Sequence, residues 1–171
     1  MRRRGGLPVA VIDNTLLSRL DRLEIAHFLP LLFKQILIPP EVRREAYKGP
    51  HKAKRRLQKL INELSGFFVN CQDVDDLIKE YLKADLDEGE ASAIAQADYH
   101  QAIVLVDEKK GFERAVTMQL TAIRTPNLLN QLKEAGAITA VKPYYVKLVK
   151  ETGFYLSERA QRLLLLEAGE E

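Results

Sequence analysis

The stretch Val9-Ala10-Val11-Ile12-Asp13-Asn14-Thr15 decides the fold of this chain. Four apolar residues, three of them β-branched, end abruptly in Asp13, and an apolar pattern of helical spacing follows at once. Such a run is typical of a buried parallel strand that delivers a carboxylate to the carboxyl edge of an α/β sheet. Asp is also a common helix N-cap, so a capping role for Asp13 stays open at this point.

Further short apolar runs alternate with segments of helical periodicity along the chain. We predict strands at 36–38, 67–69, 103–106 and 121–123, and helices at about 41–48, 52–64, 74–84, 87–100 and 108–119. A helical pattern also covers 16–33, with Pro30 as a kink or boundary. Strands separated by helices predict an α/β fold, in which a mostly parallel sheet of four to five strands is covered by helices on both faces.

The length and composition fit one domain. The chain has 171 residues and 46% of them are apolar, which is enough for a substantial core. We expect residues 1–8 to be a flexible extension and 9–171 to be a single domain. Its core would cover about 9–136, and 137–171 would be a helical C-terminal extension with helices at 128–135, 142–151 and 157–167.

Charge and cysteine content narrow the class of protein. A net charge of +2 does not indicate a nucleic-acid binder through the field of the whole molecule. The one cysteine, Cys71, excludes an internal disulfide framework and a multi-cysteine zinc site, and it fits a reducing cytosol. The basic N-terminus is followed by an apolar run too short for a signal peptide or membrane span. We therefore expect a soluble, cytoplasmic protein without a membrane partner.

Several acids fall where one edge of such a sheet would collect them. Asp107 closes an apolar run as Asp13 does, so the two would lie side by side if their strands were neighbours. Glu41 and Glu45 are four residues apart and share one face of the helix after the second strand. Glu90 falls in the first turn of another helix. Oxygen ligands of this kind suit Mg²⁺ or Mn²⁺ and the phosphate chemistry that these ions support.

Each acid also has an ordinary structural interpretation. The two strand-end aspartates can be helix caps, and Glu90, three residues after Asp87, resembles part of a capping box. Glu41 can be a first-turn acid favoured by the helix dipole, and Glu45 can pair with a neighbouring basic residue. The hypothesis of an acidic metal site therefore depends on all the acids together, in their order and spacing.

The motifs that contain these acids resemble those of one known family. They are Val11-Ile12-Asp13-Asn14-Thr15, Ile38-Pro39-Pro40-Glu41-Val42-Arg43-Arg44-Glu45, Leu86-Asp87-Glu88-Gly89-Glu90-Ala91 and Leu105-Val106-Asp107-Glu108-Lys109-Lys110-Gly111. In this order they resemble the PIN-domain family of metal-dependent ribonucleases, and more closely its stand-alone PIN-like members, which are related to the VapC-type ribonucleases. The tail stretches 132–138, 141–143 and 153–157 fit as well, so the resemblance covers nearly the whole chain after residue 8.

The resemblance implies a three-layer PIN-like fold and a set of site residues. By position, the catalytic and metal-binding acids would be Asp13, Glu45, Glu90 and Asp107, supported by Thr15 and Asn14, with Glu41 as an extra acid. The activity implied is that of a metal-dependent endoribonuclease that uses Mg²⁺ or Mn²⁺. Water activated by the metal would hydrolyse a phosphodiester of single-stranded or structured RNA.

Basic residues near the acids suggest how RNA would bind. The candidate RNA-binding residues are Arg43, Arg44, Lys52, Arg55, Arg56 and Arg114. Arg114 is included because Phe112 follows Gly111 where the family commonly has Arg. A polyanion crossing the acidic site would be attracted by such a basic helix. The alternative is a solvated amphipathic helix whose Leu57, Leu60 and Ile61 face the core.

Other functional classes lack their motifs, and one rival remains. The sequence has no dinucleotide-binding glycine motif, no Walker phosphate loop and no paired-histidine zinc motif. The rival is a non-catalytic nucleic-acid-binding or regulatory module with the same fold. Within the ribonuclease hypothesis, the resemblance implies a homodimer and, as one biological role, a toxin restrained by an antitoxin protein.

Overall fold

The computed structural model describes residues 6–74 and 77–170. The extension predicted for 1–8 lies outside the described residues as far as residue 5, and so do positions 75 and 76 of the helix predicted at 74–84. The chain enters the sheet at Val9, as the opening motif predicts.

Five parallel strands form the sheet in the described part of the chain, and each predicted strand is confirmed within one or two residues. They are β1 (Val9–Ile12), β2 (Gln35–Ile38), β3 (Phe68–Asn70), β4 (Ile103–Leu105) and β5 (Ala122–Ile123). Their order across the sheet is β3-β2-β1-β4-β5, so β1 is central. In register, Val11 is paired with Leu37 on one side and with Val104 on the other.

Helices connect the strands. They are α1 (Asn14–Leu23), α2 (Pro40–Ala46), α3 (His51–Glu63), α4 (Leu77–Leu82), α5 (Glu88–His100), α6 (Lys109–Thr117), α7 (Thr125–Glu134), α8 (Lys142–Thr152) and α9 (Glu158–Glu167). The pattern at 16–33 is not one helix, because Glu24 ends α1 in a left-handed conformation and a 3-10 helix, Ala26–Leu31, contains Pro30. Within the described ranges, no helix combines the length and apolar character that crossing a bilayer requires.

The sheet separates two apolar cores, which gives the expected three layers. Successive residues of a strand point to opposite faces. Ile12 therefore joins the core beneath α1, α3, α7 and α8, whereas Val11 joins the core beneath α5. Helix α5 is buried along Gly89–Ala97, and its small side chains let it lie close to the sheet.

The C-terminal helices share the first of these cores. Tyr145 and Leu148 of α8 are fully buried, and Leu165 of α9 packs in the same cluster. Phe154, in the connection between α8 and α9, is buried there as well. The C-terminal helices therefore pack in the core beside the sheet, and the connection between them adds an aromatic ring to that core.

A buried polar network holds α2 against α4 and α5. Lys79 Nζ donates to Glu41 Oε1 at 3.0 Å, and Ser92 Oγ donates to Glu41 Oε2 at 2.6 Å. Burial opposes ionisation of Glu41, but the hydrogen bonds from Ser92 and Lys79 outweigh it and hold the pKa of Glu41 below its ordinary value. Lys79 also contacts Asp73. Because Glu45 lies one turn after Glu41 on α2, the network also restricts the position of the Glu45 side chain.

This network gives a stability prediction. We expect Lys79→Met to lower the free energy of unfolding by about 2 kcal/mol, because it removes the buried cation that donates to the Glu41 carboxylate, whereas the exposed Arg44, 3.7 Å from Glu41, is a weaker partner. The matched control is Lys83→Met, since Lys83 forms an exposed pair with Glu80 and its removal should cost less than about 1 kcal/mol. Urea denaturation of both variants measures the difference. Equal destabilisation by the two substitutions would contradict a structural role for the Glu41 network.

Candidate active site

The order of the strands brings the two strand-end aspartates together. Because β1 is paired with β4, Asp13 and Asp107 follow neighbouring parallel strands, which meets the condition under which we expected them to lie side by side. The backbone N–H of Asp13 donates to the carbonyl of Leu105 at 3.2 Å, which extends the pairing to the edge of the sheet. Both aspartates are only 1% exposed. The carboxyl edge of the sheet therefore carries two buried acids side by side.

Asp13 caps α1 and also lies among other acids. Its Oδ1 accepts the N–H of Leu16 at 2.9 Å, so the capping interpretation is confirmed. Burial raises the pKa of Asp13 well above its ordinary value, the Leu16 hydrogen bond partly offsets this, and repulsion from Asp107, Glu90 and Asp87 adds to it. Asp13 is thus both a helix cap and a member of an acidic group.

Asp107 is held in one orientation by three donors. The backbone N–H of Thr125 donates to Oδ1 at 2.7 Å, and the Thr125 hydroxyl donates to Oδ2 at 2.7 Å. Arg19 donates to the same Oδ2 at 2.9 Å. Arg124 donates twice to the backbone carbonyl of Asp107. Asp107 does not cap the helix that follows it, because the N-cap of α6 is Glu108.

Glu90 contributes a buried carboxylate oxygen without a donor. Its backbone N–H donates to Asp87 Oδ1 at 2.8 Å, so the predicted cap by Asp87 is present. Its Oε1 accepts no hydrogen bond from any described residue. Burial, followed by repulsion from Asp87, raises the pKa of Glu90 from 4.5 to about 7, with Glu108 and Glu45 adding smaller repulsions. Oε1 therefore lacks a donor within the described chain, and a backbone hydrogen bond at Asp87 offsets only part of the rise in the pKa of Glu90.

Two glycines make room for these carboxylates. A Cβ added at Gly111 would lie 2.8 Å from Glu90 Oε1, and one added at Gly89 would lie 2.5 Å from Glu45 Oε2. The backbone of Gly89 forms a hydrogen bond that favours the charged form of Glu45, but burial and repulsion from Asp87 raise its pKa overall. Glu45 thus reaches across from α2 to the start of α5, beside Glu90.

We call Asp13, Glu45, Glu90 and Asp107 the acidic cluster. Asp107 and Glu90 raise the pKa of Asp13, and Glu45 raises the pKa of Glu90. Three further acids take part that sequence reasoning did not assign, namely Asp87, Glu88 and Glu108. In residues 6–74 and 77–170, however, no three His, Cys, Asp or Glu side chains are arranged to hold one metal ion. Asp107 and Glu45 are instead hydrogen-bonded to donors of the protein.

The acidic cluster nevertheless fits a hard divalent cation in its chemistry. All its donors are carboxylate oxygens, and Glu90 Oε1 is buried without a partner among the described residues. Like charges crowded in a buried site are unfavourable until a cation compensates them. The donor set and its uncompensated charge therefore both favour binding of a divalent ion.

The other predicted acid is Glu41, and the predicted supporting residues are Asn14 and Thr15. All three are near members of the acidic cluster in the sequence, but their environments differ. Glu41 belongs to the network with Lys79 and Ser92. Asn14 opens α1, and its Oδ1 is buried without a partner in the described part of the chain. Thr15 follows in the first turn of α1 and is half-buried.

Some of the candidate RNA-binding residues are exposed, and others form contacts within the protein. The amphipathic interpretation of α3 is confirmed, because Leu57, Leu60 and Ile61 are its buried residues. The candidates in this region are Arg43, Arg44, Lys52, Arg55 and Arg56, of which Arg44, Lys52 and Arg55 are exposed, although Arg44 also lies 3.7 Å from Glu41. Arg56 is paired with Asp21 at 3.0 Å, and Arg114 contacts Asp85 and Tyr81.

Three residues around Asp107 were missed by sequence reasoning. Arg124 and Thr125 come directly after β5, so the same strand-end rule that selected Asp13 could have selected them. Arg19 is a charged residue on the buried side of α1, alongside Leu16 and Leu20. A charge at such a position is a sequence signal, but its partner is not readable from the sequence.

The raised pKa of Glu90 gives a prediction for the metal-free protein. Between its ordinary value of 4.5 and about 7, the folded state binds more protons at Glu90 than the unfolded state does. The free energy of unfolding should therefore fall as the pH rises through this window. We expect Glu90→Gln to make the fall shallower in urea denaturation with a chelator present. Glu134→Gln, at an exposed position near the end of α7, is the control, and identical pH slopes for wild type and Glu90→Gln would contradict the prediction.

Comparison with solved structures gives distant likenesses. One is a PilT N-terminus domain protein from Sulfolobus solfataricus, with 15% identity and a TM-score of 0.49 over 68% of this chain and 86% of that chain. Another is a domain of a functionally unknown protein from Methanocaldococcus jannaschii, with 16% identity and a TM-score of 0.49 over 68% of this chain and 90% of that chain. No curated protein matches the sequence.

A family model gives the assignment. The model described as a PIN domain matches residues 9–170, which includes the acidic cluster and the C-terminal helices. Members of this family generally bind nucleic acid and use divalent metal ions. Because the match extends over nearly the whole chain, the protein belongs to the PIN-domain family, whose fold is of the nuclease type.

Proposed function

We propose that the protein is a Mg²⁺- or Mn²⁺-dependent endoribonuclease whose acidic cluster binds the metal. The observation that carries this proposal is the buried Glu90 oxygen without a partner among the described residues, surrounded by carboxylates that repel one another at the carboxyl edge of the sheet. Membership of a nuclease-type family supports it. The residues that would hold the ion are Asp13, Glu45, Glu90 and Asp107.

Each residue has a distinct role in this proposal. A divalent ion, when bound, activates water for attack and offsets negative charge on the phosphodiester. Asp13 and Glu90 provide buried carboxylates, and Thr125 orients the carboxylate of Asp107. Thr15 and Asn14, in the first turn of α1, would support Asp13 and its surroundings. Glu41 acts indirectly, because it holds the helix that carries Glu45.

RNA is the proposed substrate, attracted by the basic region. Exposed Arg44, Lys52 and Arg55 present positive charge that would contact phosphates. Phosphate contacts carry little sequence information, so this region would position RNA and not select its sequence. A cytoplasmic location, a homodimer and restraint by an antitoxin protein belong to the same proposal.

A second candidate function is a non-catalytic nucleic-acid-binding or regulatory module. The observation that favours it is the ion pair between Arg19 and Asp107, which already supplies a cation to one acid of the cluster. The absence of a three-acid metal arrangement in 6–74 and 77–170 agrees with it. Metal binding and RNA cleavage, measured separately, distinguish the two functions.

Metal titration tests the proposed site. We expect wild type to bind Mn²⁺ in calorimetry and to cut RNA in its presence, whereas Asp13→Asn and Asp107→Asn should bind Mn²⁺ at least about tenfold more weakly and lose cleavage. Glu80→Gln, an exposed acid on α4, is the control. Circular dichroism verifies the fold of each variant. Equal Mn²⁺ affinity in all proteins would disprove the site, and binding without cleavage would favour the second function.

Charge reversal tests the basic region. We expect the double variant Lys52→Glu and Arg55→Glu to bind RNA more weakly and to lower the salt slope of log affinity by about 0.7 for each RNA phosphate that the protein no longer neutralises. The control double variant, Arg159→Glu and Arg162→Glu, changes the net charge equally on exposed positions of α9. Fluorescence anisotropy at several salt concentrations gives both quantities. If the two double variants behave alike, α3 has no specific role in RNA binding.

A further inference from the structure

Asp107 has a cation of its own in Arg19. The Arg19 guanidinium lies 2.9 Å from Asp107 Oδ2, and the two side chains are 10% and 0% exposed. A desolvated pair of this kind is poorly screened by solvent, so each charge acts strongly on its neighbours. A divalent ion bound beside Asp107 would therefore meet the positive charge of Arg19.

The C-terminal segment fixes Arg19 in this position. Arg19 Nε donates to the Thr152 hydroxyl at 3.3 Å, and that hydroxyl donates onward to the carbonyl of Leu148 at 2.6 Å. The guanidinium also lies over the ring of Phe154, 4.9 Å from its centroid. Each of these contacts favours the arginine in one place. Arg19 is thus a built part of the site, held from α8 and the connection after it.

Arg19 also differs from the second arginine at the same acid. Arg124 donates to the backbone carbonyl of Asp107, at 2.7 and 3.0 Å, and lies 5.1 Å from the centroid of the same Phe154 ring. The carboxylate itself accepts from Arg19. Oδ2 already receives two donors, from Arg19 and Thr125, so a divalent ion would share Asp107 with a fixed positive charge.

We propose that Arg19 is a resident counter-ion of Asp107, which lowers the divalent-ion affinity of the acidic cluster. This inference rests on the proposed function, because it assumes that the cluster binds the ion. Arg19 compensates one carboxylate while the ion is absent and opposes the ion's approach by like-charge repulsion. The site then binds the ion only when the ion concentration is high enough to overcome that repulsion. Arg19 thus sets the ion concentration at which the site is occupied.

Mn²⁺ calorimetry with arginine variants tests the inference. We expect Arg19→Gln to bind Mn²⁺ about tenfold more tightly than wild type, since it removes a desolvated positive charge beside the ion. Arg19→Lys keeps the charge but loses the Nε hydrogen bond to Thr152, so its Mn²⁺ affinity should be closer to that of wild type than the affinity of Arg19→Gln is. Arg124→Gln, the matched control, removes a guanidinium that does not touch the carboxylate and should change the affinity less than Arg19→Gln does.

Thermal unfolding gives a readout that does not depend on activity. Without metal, Arg19→Gln should unfold at a lower temperature than wild type, because Asp107 loses its cation. Saturating Mn²⁺ should then raise its unfolding temperature by more than it raises that of wild type, as tighter binding to the folded state requires. Phe154→Leu loosens the position of Arg19 and should tighten Mn²⁺ binding in the same direction, which keeps the test available if Arg19→Gln does not fold.

The outcomes separate the inference from the proposed function. If Asp13→Asn weakens Mn²⁺ binding but Arg19→Gln and Phe154→Leu leave it unchanged, the metal site stands and the counter-ion role is overturned. If Arg19→Gln and Phe154→Leu weaken Mn²⁺ binding, Arg19 orients Asp107 for the ion, and the inference is again overturned. If wild type binds no Mn²⁺, or Asp13→Asn binds it equally well, the proposed function itself fails.

Discussion

The pairing of β1 with β4 is the constraint on which the rest of the site depends. The register aligns Ile12 with Leu105, so the next residues of both strands emerge at the same buried edge. Asp13 is then fixed beside Asp107, and the pairing of β1 with β2 directs α2 to the same edge. The backbone that carries these acids is hydrogen-bonded across the sheet, so their Cα positions stay neighbours whatever rotamers the side chains adopt. The fold therefore creates a concentration of negative charge, and the surrounding side chains have to stabilise it.

The chain stabilises its buried acids in different ways. Asp107 receives an arginine and a threonine, and Glu45 receives the backbone of Gly89. Asp13 receives the backbone N–H of Leu16, and Glu90 Oε1 receives nothing from the described residues. A buried charge without compensation is costly, so a protein retains it where a ligand supplies the compensation or where a function needs it. This contrast distinguishes Glu90 from the other acids and makes it the most informative residue of the cluster.

The sequence predicts the parts of this arrangement that depend on local periodicity. Apolar runs of strand length define the sheet, and the parallel-strand rule puts Asp13 and Asp107 at one edge, although only the structure shows that their strands are neighbours. The sequence does not predict which helix packs where. Glu41 and Glu45 share a helix face by spacing, but the hydrogen bond from Lys79 of α4 to Glu41 cannot be read from that spacing, because only the folded chain brings α4 next to that turn. The role of Arg19 is hidden for the same reason, since its partner Asp107 lies 88 residues away along the chain.

Phe154, in the connection between α8 and α9, is a further residue whose contacts with the site are distant in sequence. The Phe154 ring has the guanidinium of Arg19 at 4.9 Å and that of Arg124 at 5.1 Å from its centroid. One arginine bonds the carboxylate of Asp107 and the other bonds its backbone carbonyl. A single apolar ring near the end of the chain therefore stabilises both cations that surround a strand-end acid. Residues after α7 thus act on the acidic cluster through contacts and not only through the core, and the charge at the edge of the sheet depends on how the tail is packed.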